Sequence, residues 1–113
     1  MNKNSETQSK KMIFLQEAFP LYSIKPKIDW HVMELDTDDK ILSATARKVN
    51  SRSAEMIIQY ITPQKKERDA SKRAFFYTVP LGANFYLNEI GEYLSTLWID
   101  NEGFLVFYKI ENI

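Results

Sequence analysis

The sequence predicts an α+β fold: a single small domain in which an antiparallel meander sheet of five to six strands, left open or curled into a barrel, carries one N-terminal helix. Three observations lead there. The 113 residues are 44% hydrophobic and 13% aromatic, enough apolar surface for a packed core. Alternating stretches follow one another across short turns, leaving no room for the crossover helices that parallel strands need. Near the C-terminus, two apolar stretches (93–99 and 104–110) flank Asp100, Asn101, Glu102 and Gly103, the pattern of a β-hairpin.

Residues 1–11 form a polar, flexible segment ahead of a globular domain at 12–113. Ser5 and Gln8 make a capping-box opening for a helix that places Met12, Leu15 and Phe19 on one face and stops at Pro20. That helix is expected to cover the sheet, or to mediate dimerisation. Residues 21–27, which include Pro26, are a connector. Residues 28–35 alternate, with Ile28, Trp30 and Val32 to one side, and read as a strand. Asp36, Thr37, Asp38 and Asp39 supply turn chemistry. Residues 41–49 alternate small and apolar side chains, fitting a closely packed covering helix or a partly exposed strand. After a turn at 50–53, residues 55–62 form a β-branched strand ending at Pro63. Residues 64–73 hold no apolar side chain larger than alanine and read as an exposed, mobile loop. Residues 75–79 make the next strand, closed by Pro80 and Gly82, and 83–91 connect it to the hairpin.

In the hairpin, a type I turn followed by Gly103 at positive φ sets Asp100 opposite Phe104, Trp98 opposite Val106 and Leu97 opposite Phe107. Leu94, Trp98, Val106, Tyr108 and Ile110 then share one face, and Leu97, Ile99, Leu105 and Phe107 the other, so both faces need cover. A competing pattern, with Leu87, Ile90, Tyr93, Leu94, Leu97 and Trp98 at helical spacing, would make 84–99 a helix. Gly91 inside that run counts against it by about 1 kcal/mol.

The chain has no cysteine, so disulfides, thiolate chemistry and Cys-ligated zinc are excluded. Fifteen Lys and Arg balance fifteen Asp and Glu, but the charges are segregated. Residues 28–39 carry five acids and no Lys or Arg, whereas residues 40–73 carry nine Lys and Arg against three acids. Such polarity steers partners. The apolar run at 12–15 ends at Gln16 and Glu17, too short for a signal-peptide core, and no run is long enough to span a membrane. A cytoplasmic protein is the expectation.

No catalytic set stands out. His31, the single histidine, lies mid-strand alongside Asp29 and Met33 and would need partners from distant segments for a functional role, and no serine sits in a glycine-flanked elbow. Asp36, Asp38 and Asp39 invite calcium, but counting from Asp36 puts Ile41 at position six and Arg47 at position twelve, where an EF-hand needs Gly and Glu. A solvated turn is the expected reading. Glu89 and Glu92 are expected to face water. No phosphate-cradling glycine motif is present, and neither a cofactor nor a metal is called for.

The candidate binding residues are Lys65, Lys66, Arg68, Lys72 and Arg73, which run into Phe76 and Tyr77, with Arg47, Lys48 and Arg52 on a neighbouring strand and turn. Cations beside sheet aromatics are how single-stranded nucleic acids are held. The bland alternative makes Phe75 and Tyr77 core residues with Phe76 on the other face. The leading functional expectation is a non-enzymatic protein of inhibitor, immunity or adaptor type that binds a protein partner through a charge-polarised surface, with a homodimer to cover the hairpin. Nucleic-acid binding through 64–77 is the alternative, and an enzyme without a recognisable motif comes third.

Overall fold

A computed structural model describes residues 11–21, 27–65 and 67–113. The expected capping box at Ser5 and Gln8, most of the polar N-terminal segment, Pro26 and Lys66 lie outside the described residues. Seven strands account for 69% of the described residues: β1 (Met12–Leu21), β2 (Asp29–Asp36), β3 (Lys40–Lys48), β4 (Ala54–Pro63), β5 (Ala70–Pro80), β6 (Glu92–Ile99) and β7 (Glu102–Asn112). One four-residue helix, α1 (Leu87–Ile90), precedes β6.

The α+β prediction is therefore overturned. Among the described residues the protein is mostly β, built as two antiparallel sheets ordered β1-β4-β3 and β2-β5-β7-β6, with neither a single meander nor a closed barrel. The expected N-terminal helix is strand β1. Its run of apolar residues fits either period, and pairing along β4 from Met12↔Pro63 to Leu21↔Ala54 decides it. Pro20 would have ended a helix, but it is tolerated in β1 because this is an edge strand. The meander fails for a related reason. Chain neighbours β2 and β3 lie in different sheets, as do β4 and β5, so the 37–39 turn and the 64–69 loop cross between layers. The loop is also shorter than expected, because residues 70–73 already belong to β5.

The core lies between the sheets. Ile41, Ala44, Met56, Ile58 and Tyr60 from the three-stranded sheet meet Met33, Leu35, Ala74, Phe76, Leu97, Phe104 and Val106 from the four-stranded one. At one side β3 abuts β6, where the Ala44 N–H donates to Ser95 Oγ at 3.1 Å. At the other side Phe19 of β1 stacks on His31 of β2, with ring centroids 5.1 Å apart, and also packs 6.1 Å from Phe76.

The hairpin exists, with a different turn and register. Asp100 and Asn101 both have positive φ, 47° and 70°, as a two-residue type I′ turn requires, while Gly103 does not. Ile99 therefore faces Glu102 and Leu97 faces Phe104. The odd shift from the expected register exchanges the faces of β6: Leu97 and Ile99 now lie with Phe104 and Val106, and Trp98 lies with Leu105 and Phe107. Gly103 instead makes room for an indole, since a Cβ there would stand 3.0 Å from the Trp98 ring. The competing helix at 84–99 is limited to α1. It stops at Gly91, whose φ of 87° and close approach to the Tyr108 carbonyl admit no side chain.

Candidate functional site

The segregated charges meet at one end of the molecule, where the β2–β3 turn faces the β4–β5 loop. Asp36 is only 2% exposed, and its carboxylate accepts from Lys65 Nζ at 2.8 Å, the Asp69 N–H at 2.9 Å and the Asp38 N–H at 3.3 Å. Asp39 Oδ2 accepts from Arg68 Nη2 at 2.7 Å and from the Asp36 N–H at 3.0 Å. Arg68 Nη1 also donates to Thr62 Oγ1 at 3.1 Å, and Lys65 Nζ lies 3.5 Å from Asp38 Oδ2. Thr37 and Ser71 join hydroxyls across the same gap at 2.5 Å.

The expectation of a solvated turn fails for Asp36 and for Asp39, whose side chain is fully buried. A carboxylate is kept out of water only when cations and N–H donors replace its hydration, and here Lys65, Arg68 and the loop backbone do so for Asp36 and for Asp39 Oδ2, while the buried Asp39 Oδ1 finds no hydrogen-bond partner among the described residues. The Lys65 hydrogen bond, then the Asp69 N–H, hold the Asp36 carboxyl well below the usual carboxylate range against the opposing effect of desolvation. The same contact raises Lys65. Lys65 and Arg68 are thus counterions that fasten the two sheets together at this end.

The other candidate residues are dispersed. Arg47 pairs with Glu55 at 2.7 Å on the outer face of the three-stranded sheet. Lys48 bridges to Asp100 of the hairpin turn, and Arg52 is exposed in the β3–β4 loop. Lys72, near the start of β5, lies opposite Leu35 and Asn112, and Arg73 lies between Glu34 and Glu111 in register on the outer face of the four-stranded sheet. Phe76 is completely buried in the core, while Phe75 and Tyr77 point the other way, half-buried.

That outer face is the most distinctive surface among the described residues. Trp30↔Tyr77, Tyr77↔Phe107 and Tyr93↔Phe107 are successive register pairs, so four aromatic side chains run in one row across β2, β5, β7 and β6. At a strand spacing of about 4.8 Å the row spans roughly 15 Å. The rings are knit together: Trp30 lies 6.2 Å from Phe75, and Tyr93 meets Phe107 edge-on at 5.9 Å. Lys109 Nζ stands 5.7 Å from the Tyr77 ring centroid, a cation–π contact in the middle of the face. Residues Ala83, Phe85 and Ile90 cover one part of the sheet by packing against Phe107 and its neighbours. The remainder is open, with Trp30 56%, Tyr93 55% and Trp98 65% exposed.

Trp30, Tyr93, Trp98 and Lys109 were not singled out from the sequence as binding residues. Their signal was the hairpin and β2 having apolar side chains on both faces, which called for cover without identifying which face lacks it. Among the described residues no helix is long and apolar enough to cross a membrane. Comparison with known proteins adds no relative: no family model, no curated protein and no solved structure matches the chain.

Proposed function

We propose that this is a non-enzymatic, cytoplasmic protein that binds a protein partner through the aromatic outer face of its four-stranded sheet. The carrying observation is the cross-strand row Trp30, Tyr77, Phe107 and Tyr93 with Trp98 beyond it, left partly open to solvent. Interface centres are enriched in Trp, Tyr and Phe and depleted in charge, and a large exposed apolar patch marks an interaction site. Two cations on this face, Arg73 and Lys109, are balanced by Glu34 and Glu111 in adjacent register positions, so it lacks the positive field that phosphates require. The partner chemistry it fits is an apolar surface bearing a carboxylate opposite Lys109.

Nucleic-acid binding through the 64–77 segment is disfavoured by the use of Lys65 and Arg68 as counterions to Asp36, Asp38 and Asp39. The test compares capture of partners from host lysate by the wild type, by a Trp30→Ser/Tyr93→Ser variant, and by a Phe14→Ser control altered on the outer face of the other sheet. A protein retained by the wild type and the control but lost by the double variant supports the proposal. Retention by all three refutes it. In a parallel anisotropy titration, oligonucleotide binding with a steep salt slope would transfer the function to nucleic acid.

A further inference from the structure

We propose a second, separate binding site: a cavity at the end of the molecule opposite the Asp36 cluster that takes a small monocarboxylate with a short apolar body. The cavity measures about 290 Å³ and lies between the end of β1, the β3–β4 loop and the turn of the β6–β7 hairpin. Its floor is apolar, formed by Leu21, Ile99 and Phe104, of which Leu21 and Phe104 are buried members of the core. Its rim is polar, formed by Lys48, Arg52, Ser51, Ser53 and Asp100. An apolar enclosure with a few convergent polar groups is the usual form of a small-ligand site, and this volume is near the lower end of their range.

The charges specify the ligand. Lys48 is bridged to Asp100, which fixes the hairpin turn against the end of β3 and neutralises one cation. Among the described residues no carboxylate pairs with the Arg52 guanidinium, so the described rim residues Lys48, Arg52 and Asp100 carry one net positive charge. The loop that carries Arg52 is pre-shaped: Asn50 Oδ1 accepts from the Arg52 N–H at 2.8 Å and the Ser53 N–H at 3.0 Å, and the Val49 N–H donates to the Ser53 carbonyl at 2.9 Å. Arginine presents a planar fork that matches a carboxylate with two parallel hydrogen bonds, and the serine hydroxyls can add donors. A dianionic phosphate would bring excess negative charge beside Asp100. A neutral molecule would leave Arg52 without a partner, and an anion lacking a hydrocarbon part would leave the floor of the cavity wet. A monoanion with a body of a few carbons or one aryl ring satisfies both the charge and the floor.

The test is an amide NMR titration of the whole chain with hexanoate, alongside hexan-1-ol, acetate and inorganic phosphate. The expected result is saturable shifts concentrated at residues 20–21, 48–54 and 99–104, with each of the other three probes binding at least tenfold more weakly. Arg52→Gln, an exposed loop change, should weaken hexanoate about tenfold, equivalent to ~1.4 kcal/mol. The Trp30→Ser/Tyr93→Ser variant, altered on a different surface, should bind hexanoate as the wild type does. The proposal is overturned by the absence of saturable shifts up to about 10 mM ligand, by equal binding of hexan-1-ol, acetate or phosphate, by an Arg52→Gln variant with unchanged affinity, or by loss of hexanoate binding in the double aromatic variant.

Discussion

Replacing Gly91 by alanine should be among the most damaging single-methyl changes in this protein. Gly91 joins α1 to β6 with φ 87° and ψ −141°, and a Cβ built there would lie 2.1 Å from the Tyr108 carbonyl oxygen, 2.7 Å from its carbon and 2.8 Å from Lys109 Cβ. The backbone conformation alone costs a non-glycine residue about 1–3 kcal/mol. Relieving the overlap requires moving β7 beside the Glu92↔Tyr108 pair, which forfeits at least one ladder hydrogen bond, a further ~1–2 kcal/mol. The total, roughly 2–5 kcal/mol, is a large share of the 5–15 kcal/mol typical of a domain. Gly82 provides the control. It has φ 91° but nothing within 4 Å of the added methyl, so Gly82→Ala bears only the conformational cost of about 1–2 kcal/mol. Both substitutions restrict the unfolded chain equally, so their difference reports native-state effects: the clash at Gly91 and any difference in backbone cost between the two sites. In urea unfolding, with a slope near 2 kcal/mol/M, the midpoint should fall by about 1–2.5 M for Gly91→Ala and by about 0.5–1 M for Gly82→Ala. Equal shifts, or a larger one at Gly82, would refute the reasoning.

Three further outcomes are expected. The folded-state carboxyl of Asp36 titrates below its unfolded value, so its contribution to stability is present above about pH 4 and is lost as the pH falls toward the folded value; the melting temperature of Asp36→Asn should be lower at neutral pH and fall less on acidification, as read by circular dichroism. Arg68→Met leaves the buried Asp39 carboxylate without its cation and should cost about 1–3 kcal/mol in denaturant unfolding, while leaving any oligonucleotide affinity unchanged in anisotropy. Phe76→Ala removes a fully buried ring and should cost about 3–5 kcal/mol, whereas Trp98→Ala, on a largely exposed side chain, should change stability far less.

The sequence by itself pointed to antiparallel strands from residue 28 onward, with 41–49 open between helix and strand, and favoured a hairpin turning at Asp100, with apolar side chains on both faces, over a helix at 84–99. These features are local: alternation, β-branching and turn residues act over a few positions, and so they are legible without the rest of the molecule. Three things were settled only by tertiary contact. Residues 12–21 became a strand because β4 offered a pairing edge to an apolar run that suits a helix equally well. The register of the hairpin followed from Asp100 and Asn101 both adopting positive φ, a choice that also lays the Trp98 ring over Gly103. The candidate site moved from the basic loop to the aromatic row for the same kind of reason. Lys65 and Arg68 found Asp36 and Asp39 some thirty residues away, and Trp30, Tyr77, Phe107 and Tyr93 became a row only when four separate strands came into register. Charge and ring identity are written in the chain, but which charges neutralise one another and which rings remain uncovered depend on long-range pairing, because burial is a property of neighbours that sequence distance does not encode.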